Sequence, residues 1–177
     1  ELNEQLLFDP DYYQSLLAVL PHLLRNAVDH GVETPAERLQ HGKSALATLK
    51  ITAQLFEPFN KIESAEMPPW LRLEIQDDGQ GIAMALLRQR VQEQQLVQAT
   101  ELASMPDEQL IDFIFVDQLS TRAEANFISG RGIGLAAVRQ EISRYHGRIY
   151  AQSQANNGTR FVIEIPLQHG HYSITTT

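Results

Sequence analysis

The chain has 177 residues, with 14 Lys+Arg against 22 Asp+Glu and a formal net charge of −8. That length fits one domain, or one domain with a loose segment, and the acidic balance argues against a nucleic-acid binder, which carries a basic footprint. The chain contains no Cys, which excludes disulfides, thiolate metal sites and Cys nucleophiles.

Periodicity divides the chain into four blocks. From about Tyr12 to Val32, Leu16, Leu17, Leu20, Leu23, Leu24, Ala27 and Val28 recur at helical spacing and predict one apolar side. Pro21 should kink that helix or restart it, and Gly31 is a plausible stop. Next comes a strand pair, Leu46 to Phe56 and the strictly alternating Trp70 to Gln76, joined by the Pro-containing connection Glu57 to Pro69. A helical block, Ala83 to Phe115, breaks near Pro106 and leads into a less regular stretch to Ser129. The last block is a Gly-rich loop, a helix from Leu135 to His146, and strands Arg148 to Ser153 and Phe161 to Leu167, with Asn157-Gly158 as a hairpin signal. Strands and helices without regular βαβ alternation predict a sheet covered by helices on one face. The domain is placed at residues 1–167, and the polar tail 168–177 is expected to fray.

Three groups of residues could carry chemistry. His22, Arg25, Asn26, Asp29 and His30 form a polar helix stripe that is either a solvated face or a binding face. Asn, Asp and His are poor helix formers compared with the usual surface Glu, Lys and Gln. An Asn carbonyl suits Mg²⁺, and Arg or His suits phosphate oxygens. Asp77-Asp78-Gly79-Gln80-Gly81-Ile82 follows an alternating strand and is either a plain acidic turn or a site. Strand parity puts Asp77 on the covered side with Leu71, Leu73 and Ile75, where a carboxylate needs partners; an adenine amino group plus a water would serve. Ser129-Gly130-Arg131-Gly132-Ile133-Gly134-Leu135 opens a helix and is either a hinge or a phosphate-binding loop. Gly42-Lys43-Ser44 is not a P-loop, because the required earlier glycine position is Glu37.

In order, these motifs resemble the ATP-binding boxes of the GHKL (Bergerat-fold) superfamily, and specifically those of chemotaxis-type sensor histidine kinases. His22 to Glu33 resembles the N box, and Thr34-Pro35-Ala36-Glu37-Arg38 its continuation. Asp77 to Ile82 resembles the first glycine box, Gly130 to Gly134 the second, and Gly158-Thr159 the closing element, so the likeness spans about residues 16 to 167. The resemblance implies a two-layer α/β (α+β) sandwich, a mixed and mostly antiparallel sheet covered on one face by helices. ATP would lie between helices and sheet, with Asn26 on Mg²⁺, His22, Arg25 and His30 near the phosphates as the catalytic group, and Asp29 among the nucleotide-binding residues. Asp77 would read the adenine amino group, with Gly79, Gly81 and Ile82 along the base and Thr159 at the adenine end. Gly130, Gly132 and Gly134 would hinge the ATP lid, flanked by Ser129, Arg131, Ile133 and Leu135.

The implied reaction is transfer of the γ-phosphoryl group to a histidine on another domain or protein, with a response regulator downstream. Two rivals are a non-catalytic nucleotide-binding regulator and a GHKL ATP hydrolase. Hydrolysing relatives carry a Glu four residues before the N-box Asn, where this chain has His22. The sequence departs from the chemotaxis pattern in two places. Asp117-Gln118-Leu119-Ser120-Thr121 stands where a Pro-Gly-Phe-Ser-Thr segment is usual, and Leu86, Leu87 and Arg88 follow the first glycine box where some members place a basic residue. With Leu135-Ala136-Ala137-Val138-Arg139 after the second box, the reading is a hybrid sensor-type kinase domain. Opening on Glu1 without a basic-then-apolar leader, and with no apolar run near the roughly 20 residues of a membrane span, the chain is expected to be the cytoplasmic piece of a longer protein. No membrane contact is expected of this segment itself.

Overall fold

The computed structural model describes residues 4–57, 68–117 and 134–176. Most of the expected Glu57–Pro69 connection lies outside those residues, as do Gln118 to Thr121 and Ser129, Gly130, Arg131, Gly132 and Ile133. Strand β1 (Glu4–Phe8) is followed by α1 (Gln14–Asn26), a single π turn (Ala27–Gly31), α2 (Pro35–Gln40), β2 (Leu49–Phe56) and β3 (Trp70–Asp77). Then come α3 (Met84–Glu93), α4 (Ala99–Ser104), α5 (Asp107–Leu110), a 3₁₀ turn (Ile111–Phe115), α6 (Leu135–Arg144), β4 (Arg148–Gln154), β5 (Gly158–Pro166) and β6 (Tyr172–Thr176).

The main sheet has strand order β2-β3-β5-β4. Every pairing among the described residues is antiparallel, so the mixed character expected of the sheet does not appear there. Helices α1 and α6 cover one face. Leu16, Val19 and Leu23 of α1 and Val138 and Ile142 of α6 bury against Leu71, Ile75, Ile149, Phe161, Ile163 and Ile165. A smaller apolar cluster of Leu87, Val91, Leu102 and Leu110 joins α3, α4 and α5. The sheet's other face is charged: Glu164 lies between its cross-strand neighbours Arg72 and Arg148 and accepts hydrogen bonds from both. Burial alone would raise the Glu164 carboxyl, but the two guanidinium groups outweigh it and hold it below the ordinary glutamate range.

Three sequence expectations change. Leu17 and Val28 are exposed, at 47% and 60%, because the stripe that packs runs through Leu16, Val19, Leu23 and Ala27, and both lie about a quarter-turn away. Helix α1 passes through Pro21 instead of restarting there. The tail does not simply fray: β6 pairs antiparallel with β1, Leu6, Phe8 and Tyr172 pack on the core, and Asp9 N–H donates to the His171 carbonyl at 2.9 Å.

Candidate functional site

Asp77 ends β3 at the middle of the sheet, and alternation along that strand turns it to the helix-covered side, where it is 2% exposed. Its Oδ1 accepts the Gly79 N–H at 2.9 Å and the Thr159 N–H at 3.2 Å. Burial nevertheless pushes its carboxyl up from the ordinary aspartate range, with the two amide donors opposing that shift and the Asp78 charge adding to it. Its surroundings are glycine backbone. A Cβ on Gly79 would stand 1.9 Å from the Gly31 carbonyl oxygen, and one on Gly158 2.0 Å from the Asp77 carbonyl oxygen. Gly158 also has φ +90, a conformation that L side chains rarely adopt. The first glycine box therefore packs first of all against the chain itself.

Two other elements meet this turn. The N-box helix ends in the π turn, in which the Val32 N–H donates to the Ala27 carbonyl at 3.0 Å. The wider turn carries Gly31 against the Asp77 carboxylate and its carbonyl onto the Gln80 N–H at 2.7 Å. From the other side comes the β4–β5 hairpin, whose tip sends the Asn156 N–H to the Gln80 carbonyl at 2.9 Å. The hairpin forms as the Asn-Gly signal predicts, but Gln154 pairs with Gly158, and both Asn156 and Gly158 have positive φ. Ser153 Oγ accepts the Ile82 N–H at 2.8 Å and contacts Thr159 Oγ1 at 3.0 Å. Thr159, 82 positions from Asp77, thus joins Asp77, Gly79, Gly81 and Ile82 in one cluster.

On the N-box helix, Leu23 and Ala27 face the core; His22 and Asn26 flank them half-buried, and Arg25, Asp29 and His30 are exposed. The stripe thus borders the Asp77 cluster on the helix's outer side, touching it through the His30 carbonyl, which accepts from Gln80 Nε2 at 2.7 Å. From the second glycine box only Gly134 and Leu135 are described: Gly134 precedes the first turn of α6, and Leu135 packs on the core. Arg88 does not reach this region; it donates to the Leu102 and Met105 carbonyls and to Asp107.

A charged cluster behind the turn is absent from the sequence reading. Glu33, 8% exposed, bridges Arg38, 1% exposed, and Lys43, whose ammonium lies 2.6 Å from Glu33 Oε1. Both cations reach the Asp78-Gly79 turn. The sequence carries a signal for it: Glu33, Arg38 and Lys43 at five-residue spacing, around the Thr34-x-x-Glu37 capping box that starts α2.

Residues 12–169 match the family described as histidine kinase-, DNA gyrase B-, and HSP90-like ATPase. The chain belongs to that family. Chemotaxis protein CheA of Listeria monocytogenes is 36% identical over 148 residues, covering 84% of this chain and 22% of that protein. CheA of Rhizobium meliloti is 35% identical over 159 residues, covering 90% and 19%. The gliding motility regulatory protein of Myxococcus xanthus is 33% identical over 147 residues, covering 83% and 18%. The chain therefore spans about a fifth of the length of these curated relatives. A histidine kinase domain from the Erythrobacter litoralis EL346 blue-light activated histidine kinase aligns at TM-score 0.41 and 17% identity, covering 86% of this chain and 42% of that one. As a member of the family the chain is a kinase-type ATP-binding domain. Its similarity runs to chemotaxis-type proteins despite the departures at Asp117 to Thr121 and after the first and second glycine boxes.

Proposed function

We propose that this domain binds MgATP and delivers the γ-phosphoryl group to a histidine on another domain or protein, as the catalytic part of a two-component kinase. The observation that carries the reading is Asp77: a carboxylate buried at the end of β3, held by two amide donors and bordered by the N-box helix. Such a group costs free energy in the free protein and gains by accepting from an adenine amino group. Transfer forms a bond from an imidazole nitrogen to the γ-phosphorus as the bond to the β,γ-bridging oxygen breaks, with ADP leaving. The protein's share is positioning and charge neutralisation.

In this reading Asn26 supplies one carbonyl oxygen to Mg²⁺, His22, Arg25 and His30 sit near the phosphates, and Asp29 belongs to the nucleotide-binding set. Gly134 and Leu135, with the preceding glycine box, open the lid. Among the described residues no three His, Cys, Asp or Glu side chains converge on a metal site. A magnesium ion here would be held mostly by phosphate oxygens and water, with few protein ligands. His22, at the place where hydrolysing relatives carry Glu, favours transfer over hydrolysis. Partners would be a phosphoacceptor histidine domain, in cis or trans, and a response regulator, in the cytoplasm. Among the described residues no helix is long and apolar enough to cross a membrane.

Calorimetry with ADP and Mg²⁺ tests the pocket, and γ-labelled ATP offered with phosphotransfer domains tests the chemistry. Saturable binding with label reaching a histidine supports the kinase. Binding without transfer to any acceptor supports the regulator, which the Asp117 to Thr121 departure favours. Steady phosphate release without an acceptor supports the hydrolase.

A further inference from the structure

The charged cluster behind the first glycine box uses four ionic side chains that the proposed chemistry does not touch. Lys43 Nζ donates to the Asp78 carbonyl at 2.9 Å and the Gly79 carbonyl at 2.7 Å, besides Glu33. Arg38 donates from Nη1 to the Asp78 carbonyl at 3.2 Å and from Nη2 to Asp78 Oδ2 at 2.9 Å. Its Nε holds the Ser44 carbonyl at 2.7 Å, closing the loop that brings Lys43 into place. The Thr48 N–H donates to the remaining Asp78 oxygen at 2.9 Å. Burial works against the Glu33 carboxylate, yet Lys43 and Arg38 hold it below the ordinary glutamate range.

Gly79 is where this cluster meets the candidate base site. Its N–H donates to Asp77 Oδ1, and its carbonyl accepts from Lys43 Nζ. Glycine is the residue with the most backbone freedom, so fixing both ends of this one fixes the peptide planes that orient the carboxylate. Buried ion pairs of this kind add little net stability compared with apolar packing, and their better-attested use is to select one conformation. Resting on the nucleotide reading above, we infer that Lys43, anchored by Glu33 and assisted by Arg38, is a positioning residue for base recognition: it sets the Gly79 peptide so that Asp77 selects a purine bearing an exocyclic amino group.

The test compares K43M, which removes the donor at similar length, with K43R, which keeps the charge, and E33Q, which loosens the anchor. Affinities for ADP and for inosine diphosphate, whose base lacks that amino group, are measured by calorimetry with Mg²⁺. K43M should lose about tenfold in ADP affinity, a loss of about 1.4 kcal/mol, while inosine diphosphate changes by less than threefold. K43R should restore most of the preference, and E33Q should fall between. General destabilisation would weaken both nucleotides alike, so equal losses overturn the inference, as does a wild-type ratio in K43M. If K43M does not fold, E33Q decides: an unchanged ratio there overturns it. Amide exchange at Gly79 in nucleotide-free protein gives a second readout, expected to speed up in E33Q; unaltered exchange counts against the inference. Wild-type protein that ignores ADP altogether removes the nucleotide reading first and this inference with it. Wild-type protein that discriminates, with variants that discriminate equally well, removes the inference alone.

Discussion

Replacing Asp77 by Asn separates recognition from stability more sharply than removing it. The asparagine carbonyl can keep the Gly79 and Thr159 N–H bonds now made to Oδ1, so the turn retains its partners. What changes is the second atom: an amide donor replaces a carboxylate oxygen and meets the adenine amino group donor to donor. A hydrogen bond to a charged acceptor contributes about 1.5–3 kcal/mol, so ADP affinity should fall about ten- to a hundredfold. Inosine diphosphate offers an acceptor at that position and should gain about 0.5–1.5 kcal/mol, the range of a neutral hydrogen bond. Stability should move the other way. Because burial raises the Asp77 carboxyl above its unfolded value, the ionised side chain disfavours the fold at pH values above the folded pKa, and that cost fades as pH falls below the unfolded one. D77N should therefore be at least as stable as wild type at pH 7, with the difference closing on acidification. D77A leaves two buried amide donors unpaired and should lose about 1–3 kcal/mol for each. Calorimetry with both nucleotides and thermal melts across pH 4–7 read all of this. D77N binding ADP as wild type does, or losing both nucleotides equally, refutes the role given to this carboxylate.

N26A should abolish the Mg²⁺-dependent part of nucleotide affinity while leaving the melting temperature within a few degrees, since Asn26 is half-buried at the helix end; an unchanged MgADP titration contradicts the metal role. G79A should be far more damaging than G42A. The added Cβ at Gly79 meets the Gly31 carbonyl at 1.9 Å, whereas Gly42 has nothing within 4 Å and only its φ of +71 to oppose a side chain. Denaturant titration should give about 1–2 kcal/mol for G42A and at least the upper part of the roughly 1–3 kcal/mol overpacking range for G79A; equal costs would contradict the backbone contact. E164Q should cost about 1–3 kcal/mol at pH 7, less than a fully buried pair because Arg148 is 66% exposed. Since the folded Glu164 pKa is depressed, its contribution is complete above the unfolded glutamate value and disappears as pH falls through the folded one. Wild type and E164Q should therefore converge in acid, and parallel pH profiles would refute the assignment.

Much of the candidate site was legible because the proposed chemistry calls for particular residue types in particular order. Alternation along Trp70 to Gln76 was enough to turn Asp77 inward, and helical spacing was enough to set Leu23 and Ala27 against the core; His22 and Asn26, expected on the opposite side, instead flank them half-buried. Leu17 and Val28 misled because apolar character alone does not say how wide a packed stripe is. The pairing of β1 with β6 was hidden, since the tail is polar and its partner lies at the opposite end of the chain. The Glu33, Arg38 and Lys43 cluster was hidden in the same way: these residues lie on or beside the short helix α2, and their partners Asp78 and Gly79 stand far along the chain. Gly42-Lys43-Ser44 lacks the earlier glycine of a phosphate loop, yet Lys43 still matters, for contacts within the chain.

By itself the order of residues determined the periodicities, the turns and the inward side of Asp77, because these depend on neighbours a few positions apart and on backbone geometry common to all chains. Only the folded chain decided what the glycines at 79 and 158 are for. The first passes beneath the carbonyl of Gly31 and the second against that of Asp77; the π turn, the hairpin tip and a half-buried lysine meet at the same place. Those contacts join segments tens of residues apart, and the space left for a Cβ is set by how such segments pack, which no local pattern encodes.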